Sequence, residues 1–260
     1  MGRVATLTRA MWMVWDDIMP RSAAQQMAID RALAERAMID GTSVLRLYRW
    51  AGDSVSFGAN EAAARTWDRE RLERLKVHVV RRPTGGRGVW HDSADLTYSA
   101  TARLARFGDL RTAYRQIHEQ LARAFGRLNI AAELAPRSNR PTLAPGACFD
   151  LSIGGEVLVD GRKTIGSAQA LIGTALLQHG AIARADRGPA LARFRLESSA
   201  VNPDIPAGGL PPPDQLAQAI TATWLDDGAI MAPAGVVEWA VPESAAYLAH
   251  FQDPAWTWRR

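Results

Sequence analysis

An α+β fold, with mixed, mostly antiparallel sheets flanked by helices, is predicted by three observations on this 260-residue sequence. Short alternating strand segments succeed one another through hairpin-type turns. Helical runs are mixed among these consecutive strands, which favours α+β over a parallel doubly wound sheet. A hydrophobic share of 47% with 22% charged residues is that of an ordinary globular chain with one sizeable core and a small appended lobe.

Ser22 is a suitable N-cap for a helix to about Ile39, with Met27, Leu33, Met38 and several alanines as its apolar stripe. Residues 44–50 and 54–57 then alternate as strands around the turn Gly52-Asp53. Residues 61–75 have the Arg/Glu lacing of a charged surface helix, a solvated face rather than a nucleic-acid site. Residues 77–80 form a short strand into a glycine-rich loop, and residues 96–100 form the strand that leaves it.

The strongest amphipathic signal follows. From Asp109 as cap, Leu110, Tyr114, Ile117, Leu121, Phe125 and Leu128 recur at spacings of three and four. A loop rich in Pro, Arg and Gly over 135–147 ends at Cys148. A hairpin and a third strand occupy about 156–183, with Asp160-Gly161 as a type I′ turn signal. After a proline- and glycine-rich connection over 186–213, Asp214 is read as the cap of one helix, and a last helix runs from near Pro242 to Phe251.

No apolar run approaches the roughly 20 residues that cross a bilayer, and the patch Met11-Trp12-Met13-Val14-Trp15 runs into Asp16-Asp17. A single cysteine forms no intramolecular disulfide, so a cytoplasmic protein with either a reactive or a buried, inert thiol is expected. The net charge of +4 suits acidic partners and is too small to imply nucleic acid. Only Lys76 and Lys163 among the 31 basic residues are lysines, which marks each as a position where a compact, tunable amine is of use.

Three groups of residues carry chemistry. In the run Arg81-Arg82-Pro83-Thr84-Gly85-Gly86-Arg87-Gly88-Val89-Trp90-His91-Asp92, the glycines allow a sharp turn and close approach to a ligand. Arg82 and Arg87 there offer bidentate contacts to carbonyl, phosphate or carboxylate oxygens; a plain strand connection with surface arginines is the other reading. In the hairpin over 157–169, a two-residue turn at Asp160-Gly161 sets Leu158 opposite Lys163, which places a lysine on an apolar face with Ile165. Cys148 is the third: a free thiol is a few per cent thiolate at pH 7, and a nearby ammonium would raise that fraction.

At these residues the chain resembles the lipoate-ligase and octanoyltransferase superfamily, which shares its catalytic fold with biotin protein ligases. RRPTGGRGVWHDSADLTYS is similar to that superfamily's pocket-lining loop, and DGRKTIGSAQ followed by LLQHGAI to its lysine motif and next strand. Cys148-Phe149-Asp150 is similar to the segment of LipM-type octanoyltransferases that bears the acyl-accepting cysteine. The resemblance implies an acyltransferase with Cys148 as nucleophile and Lys163 as thiolate-stabilising amine. Arg82, Thr84, Gly85, Gly86, Arg87, Gly88, His91, Gly166, Ser167, Ala168, Gln169 and His179 would form the acyl site, although His91 and His179 each also fit a packed structural histidine.

It further implies octanoyl acyl carrier protein as donor and lipoyl domains as acceptors, such as glycine cleavage H protein or the acyltransferase components of 2-oxoacid dehydrogenases. No cofactor, metal, membrane or nucleic acid is needed, and a monomer is expected. The expected organisation is an N-terminal segment over 1–20, a catalytic domain over 21–200, and a linker with a small helical part of the same domain over 201–260. Leu151, Ser152, Ala170, Leu171 and a bulky Trp90 depart from the usual pattern. An ATP-dependent lipoate-protein ligase or its large subunit, using ATP and Mg, is the rival reading; a non-catalytic acyl- or lipoyl-binding homologue is another.

Overall fold

The computed structural model describes residues 11–136, 155–184, 188–197 and 210–259. Its elements in chain order are β1 (Trp12–Arg21), α1 (Ala23–Asp40), β2 (Ser43–Trp50), β3 (Ser54–Phe57), α2 (Ala63–Thr66), α3 (Arg69–Arg74), β4 (His78–Arg81), β5 (Val89–His91) and β6 (Leu96–Arg103). There follow α4 (Leu110–Gly126), β7 (Ala132–Leu134), β8 (Val157–Val159), β9 (Arg162–Lys163), β10 (Ile165–Ile172) and β11 (Ala175–Ile182). The rest are α5 (Gly188–Ala192), α6 (Pro213–Asp226), β12 (Ile230–Met231), α7 (Ala234–Gln252) and α8 (Pro254–Thr257).

A six-stranded sheet in the order β10-β11-β6-β2-β1-β12 forms the centre. β12, β1 and β2 are parallel, and β2, β6, β11 and β10 alternate. Two three-stranded sheets, β4-β3-β5 and β7-β8-β9, stand beside it. Three of the nine pairings among the described residues are parallel, which is the mixed, mostly antiparallel α+β arrangement expected from the sequence.

Strand alternation gives the central sheet two faces of different character. One packs Leu45, Leu47, Tyr98 and Leu176 against Ile117, Leu121 and Phe125 of α4 and Leu216, Ile220 and Trp224 of α6, the main apolar core. The other lies under α1, which α7 covers from outside. α1 starts on the full capping box of Ser22 with Gln25 and stops at Gly41, in the left-handed conformation. Asp109 caps α4 as expected, by accepting from the Thr112 amide at 2.7 Å.

Several local expectations fail for tertiary reasons. Residues 12–21 form an inner strand, because Asp16 and Asp17 find partners in Arg49 and Arg46 of β2. The 61–75 helix is broken at Trp67, which turns extended and buries its ring on Phe57, while Asp68 caps the second piece. Asp214 does not cap α6, for its carboxylate is drawn to Arg49 at 2.7 Å. The last long helix begins at Ala234 and runs through Pro242, whose missing N–H costs it one rung. Cys148, the 135–147 loop beyond residue 136, Leu151, Ser152 and half of the 186–213 connection lie outside the described residues.

Candidate functional site

The glycine-rich run links β4 to β5, and its Thr84 meets His179 of β11 in the central sheet. Gly86 takes a positive φ of 93°. Gly58, at the end of β3, passes so close that a Cβ there would lie 1.8 Å from the Gly86 carbonyl oxygen. The Glu61 carboxylate ties the turn down by accepting from the amides of Gly58 and Gly88, both at 3.0 Å, and from the Trp67 indole at 3.2 Å. Glu61 therefore belongs to the turn rather than to a solvated helix face. Gly58→Ala is expected to destabilise the fold by about 1–3 kcal/mol and to disorder the turn, since backbone must move to admit one methyl. Urea unfolding and amide exchange of residues 84–88 check this.

Two arginines brace the turn from below. Arg82 donates to its own surroundings, the carbonyls of Gly85 and Arg87, both at 2.8 Å, and that of Ser56 at 2.6 Å, and also lines the slot beneath the turn. Arg81 is fully buried and donates to the carbonyls of Gly58 and Glu61, both at 2.8 Å, and to those of Trp256, Thr257 and Arg259 at 3.0, 3.1 and 2.7 Å. Trp90 points away from the ligand side, stacked on Phe194 at 5.6 Å, so its bulk fills a core.

Between this turn and the central sheet lies a slot. Its apolar wall comes from Met27, Trp50, Val89, Ala168 and Ala181, and its polar lining includes Arg82, His91, Thr97 and His179. Gly166 and Ser167 also line it, whereas Gln169 sits on the α4 side, bonded to Gln178 and the Leu110 carbonyl. Gly85, Gly86, Arg87 and Gly88 shape the turn above without lining the slot. His91 stacks on Trp50 at 3.9 Å and hydrogen-bonds the Ser56 hydroxyl at 2.8 Å.

A buried polar chain runs behind the slot. Thr84 Oγ1 lies 2.5 Å from His179 Nε2, and His179 Nδ1 lies 3.2 Å from Asp30 Oδ2. Asp30 pairs with Arg46 at 2.9 Å, accepts from Ser99 at 2.7 Å and from Tyr48 at 3.2 Å, and Arg46 continues to Asp17 at 2.7 Å. Burial alone would raise the Asp30 carboxyl, but the bond to His179, the Arg46 charge and the Ser99 hydroxyl hold it below its ordinary value. Asp30 was not singled out in the sequence. The sequence signal is a pair of polar residues, Gln26 and Asp30, four apart beside the apolar stripe of α1, and the structure buries both fully.

On the opposite face, His118 of α4 bonds the Gly155 carbonyl through Nδ1 at 2.6 Å and the Ser167 hydroxyl through Nε2 at 2.8 Å. Ser167 in turn meets the Tyr98 hydroxyl at 2.7 Å. Burial pulls the imidazole down to about 4; the Gly155 bond opposes this and the Lys163 ammonium adds to it. The hairpin has the register read from the sequence, Leu158 opposite Lys163, with Asp160 and Gly161 both at positive φ. Lys163 is buried and paired with Glu156 at 2.5 Å, and is not among the residues lining the slot. A buried lysine on an apolar face is thus accommodated by an acidic partner seven residues upstream.

Residues 22–187 match the model of the lipoyl protein ligase A/B catalytic domain. The chain belongs to this family. Octanoyltransferase LipM of Carboxydothermus hydrogenoformans is 40% identical over 165 residues, 62% of this chain and 61% of that one. Octanoyltransferase LipM of Bacillus subtilis is 34% identical over 174 residues, 62% and 61% of the two chains. The chain thus spans about three fifths of the length of these curated relatives. Among solved structures, lipoate-protein ligase A bound with ATP superposes with a TM-score of 0.75 at 16% identity, covering 95% of this chain and 98% of that one. A putative lipoate protein ligase from T. acidophilum with bound lipoic acid gives 0.70 at 16% identity over 96% and 99%. These likenesses establish the family and fold expected from the glycine-turn and lysine motifs. Among the described residues, no helix is long and apolar enough to cross a membrane.

Proposed function

We propose that the protein is an octanoyltransferase: it takes an octanoyl group from octanoyl acyl carrier protein onto Cys148 as a thioester and passes it to a lysine of a lipoyl domain. The observation that carries this reading is the slot, with apolar walls for an unbranched chain and polar groups of the glycine turn and β11 at its side. It is supported by relatives that are themselves octanoyltransferases at 34–40% identity and by the LipM-like segment around Cys148. Exchange of one thioester for another is nearly isoenergetic and transfer to an amine runs downhill, so the reaction as proposed needs neither ATP nor metal. Lys163 is assigned to stabilising the thiolate, and the net charge of +4 suits acidic carriers and lipoyl domains. The proposed setting is the cytoplasm, and the proposed active form a monomer.

The test is intact mass after incubation with octanoyl acyl carrier protein in the absence of ATP. An octanoyl adduct on the wild type that is missing from Cys148→Ala, and is lost again when a lipoyl domain is added, is the expected result. Adenylate formed from free lipoate and ATP, with no adduct, would make the protein a ligase. Binding of an acyl or lipoyl group with neither product would make it a binding homologue.

A further inference from the structure

We propose that the slot is a ruler for straight-chain acyl groups, in which Ala181 floors the track of the chain and the Trp50 indole stops its terminal methyl. The inference rests on the transfer reading above and deepens it by naming the two residues that set chain length.

The slot has a mouth and an inner end. Among the described residues that line it, Gly166, Ser167 and Ala168 of β10 are half-exposed and the others are buried, so it opens at β10. Its inner end is Met27, Tyr48 and Trp50, all fully buried and part of one apolar cluster with Val80 and Phe251. Between the two, the ladders set Gly166, Ala181, Thr97 and Tyr48 side by side on β10, β11, β6 and β2, and all four line the slot. Residues paired in this way point to one face of the sheet. Their side chains grow in that order, from none to a methyl, a hydroxyethyl group and a phenol-bearing ring, so the room above the sheet is widest at the mouth and closes inward. The next row on that face, Ala168, His179, Ser99 and Arg46, offers no second track, because its last three members are bonded to Asp30.

The inner end is held firmly enough to measure length. Trp50 Nε1 donates to Thr97 Oγ1 at 2.8 Å, and the indole stacks on His91 at 3.9 Å and meets the Tyr48 ring at 6.1 Å. His91 is fixed in turn by the Ser56 hydroxyl at 2.8 Å, and Tyr48 by Asp30 at 3.2 Å. Because Trp50 and Thr97 satisfy each other, a hydrocarbon end can rest there without stranding a buried polar group. Two strand spacings, from Gly166 to Thr97, come to about 10 Å. An extended octanoyl chain is about 9 Å from carbonyl carbon to methyl, since carbon–carbon bonds of about 1.5 Å advance in a zigzag. With its carbonyl at the mouth, such a chain lies over Gly166 and Ala181 and ends at Trp50. Each further methylene has to displace a fixed ring, and each one fewer leaves the end of the track unfilled. One methylene in an apolar pocket is worth about 10-fold or more in discrimination.

Single-turnover acylation by hexanoyl, octanoyl, decanoyl and dodecanoyl acyl carrier proteins, followed by intact mass, tests this. The wild type is expected to be fastest with the octanoyl carrier. Trp50→Leu shortens the stop and should move the optimum to a longer chain, raising the decanoyl-to-octanoyl rate ratio by about 10-fold or more. Ala181→Val fills the floor nearer the mouth and should move the optimum to hexanoyl, with the hexanoyl-to-octanoyl ratio rising by a similar factor. It removes no packed ring, and so decides the matter if the Trp50 variant does not fold. A wild type indifferent to chain length, an unchanged profile in either folded variant, or equal slowing at every length overturns the ruler and leaves octanoyl transfer standing. A wild type that forms no adduct with any carrier sinks the transfer reading. Calorimetric titration of the same proteins with free hexanoate to dodecanoate then tests the ruler by itself: opposite shifts of preferred length in the two variants support it, and no shift overturns it.

Discussion

Replacing Arg46 with alanine is expected to cost about 3–5 kcal/mol of folding free energy. The guanidinium is fully buried at the centre of β2 and joins the carboxylates of Asp17 and Asp30, at 2.7 and 2.9 Å, with the side-chain oxygen of Gln26 and the faces of Trp15 and Tyr48 around it. Its removal leaves Asp30 fully buried without its cation, and burial is the largest influence acting against that charge. Arg46→Lys should recover only part of the loss, because a single ammonium cannot reproduce the planar fork that meets two carboxylates. Urea unfolding at neutral pH measures both, and a loss below about 1 kcal/mol for the alanine variant would mean that the carboxylates are held by other means.

The second large effect is a pH window set by His118. Its imidazole sits near 4 in the folded protein against an ordinary 6.5, chiefly because it is buried. The folded state therefore keeps it neutral where the unfolded chain has begun to take up a proton. Its contribution is fully present above about pH 6.5, falls as pH drops, and levels off below about 4, a total of about 3 kcal/mol. His118→Gln retains an N–H for the Gly155 carbonyl and cannot titrate. The unfolding free energy of the wild type should fall more steeply than that of the variant between pH 6.5 and 4. Equal slopes would show that the ring takes up its proton in the folded protein as readily as in the unfolded chain.

Local chemistry made much of this molecule readable from sequence, and long-range pairing hid the rest. The Ser22 capping box, the Asp109 cap, the Asp160-Gly161 turn and the register of Lys163 depend on residues within a few positions of one another, and all stand as read. The glycine turn stands where it was read, but the carbonyl contacts that Arg82 makes beneath it were hidden, since its Ser56 partner lies 26 residues away. β1 was missed because Asp16-Asp17 looks like the end of an apolar patch until β2 supplies Arg46 and Arg49 beside it. Asp214 makes the same point from the other side: a good capping residue was taken by an arginine 165 positions earlier. In the slot, His179 lies in a motif segment, whereas Trp50 does not and lies outside the glycine-turn, lysine and cysteine segments.

The clasp around Arg81 has a consequence for the order in which this protein can mature. Its guanidinium meets carbonyls about 175 residues further along, and the Trp256 indole returns the contact by donating to the Arg81 carbonyl at 2.9 Å. During synthesis, a nascent chain can build the parallel β1-α1-β2 unit and much of the large sheet before those residues exist. The small sheet under the glycine turn then carries a buried cation with half its acceptors still untranslated. Completion of the brace beneath the glycine turn is accordingly a late event, gained when the last short helix docks rather than when the main core condenses.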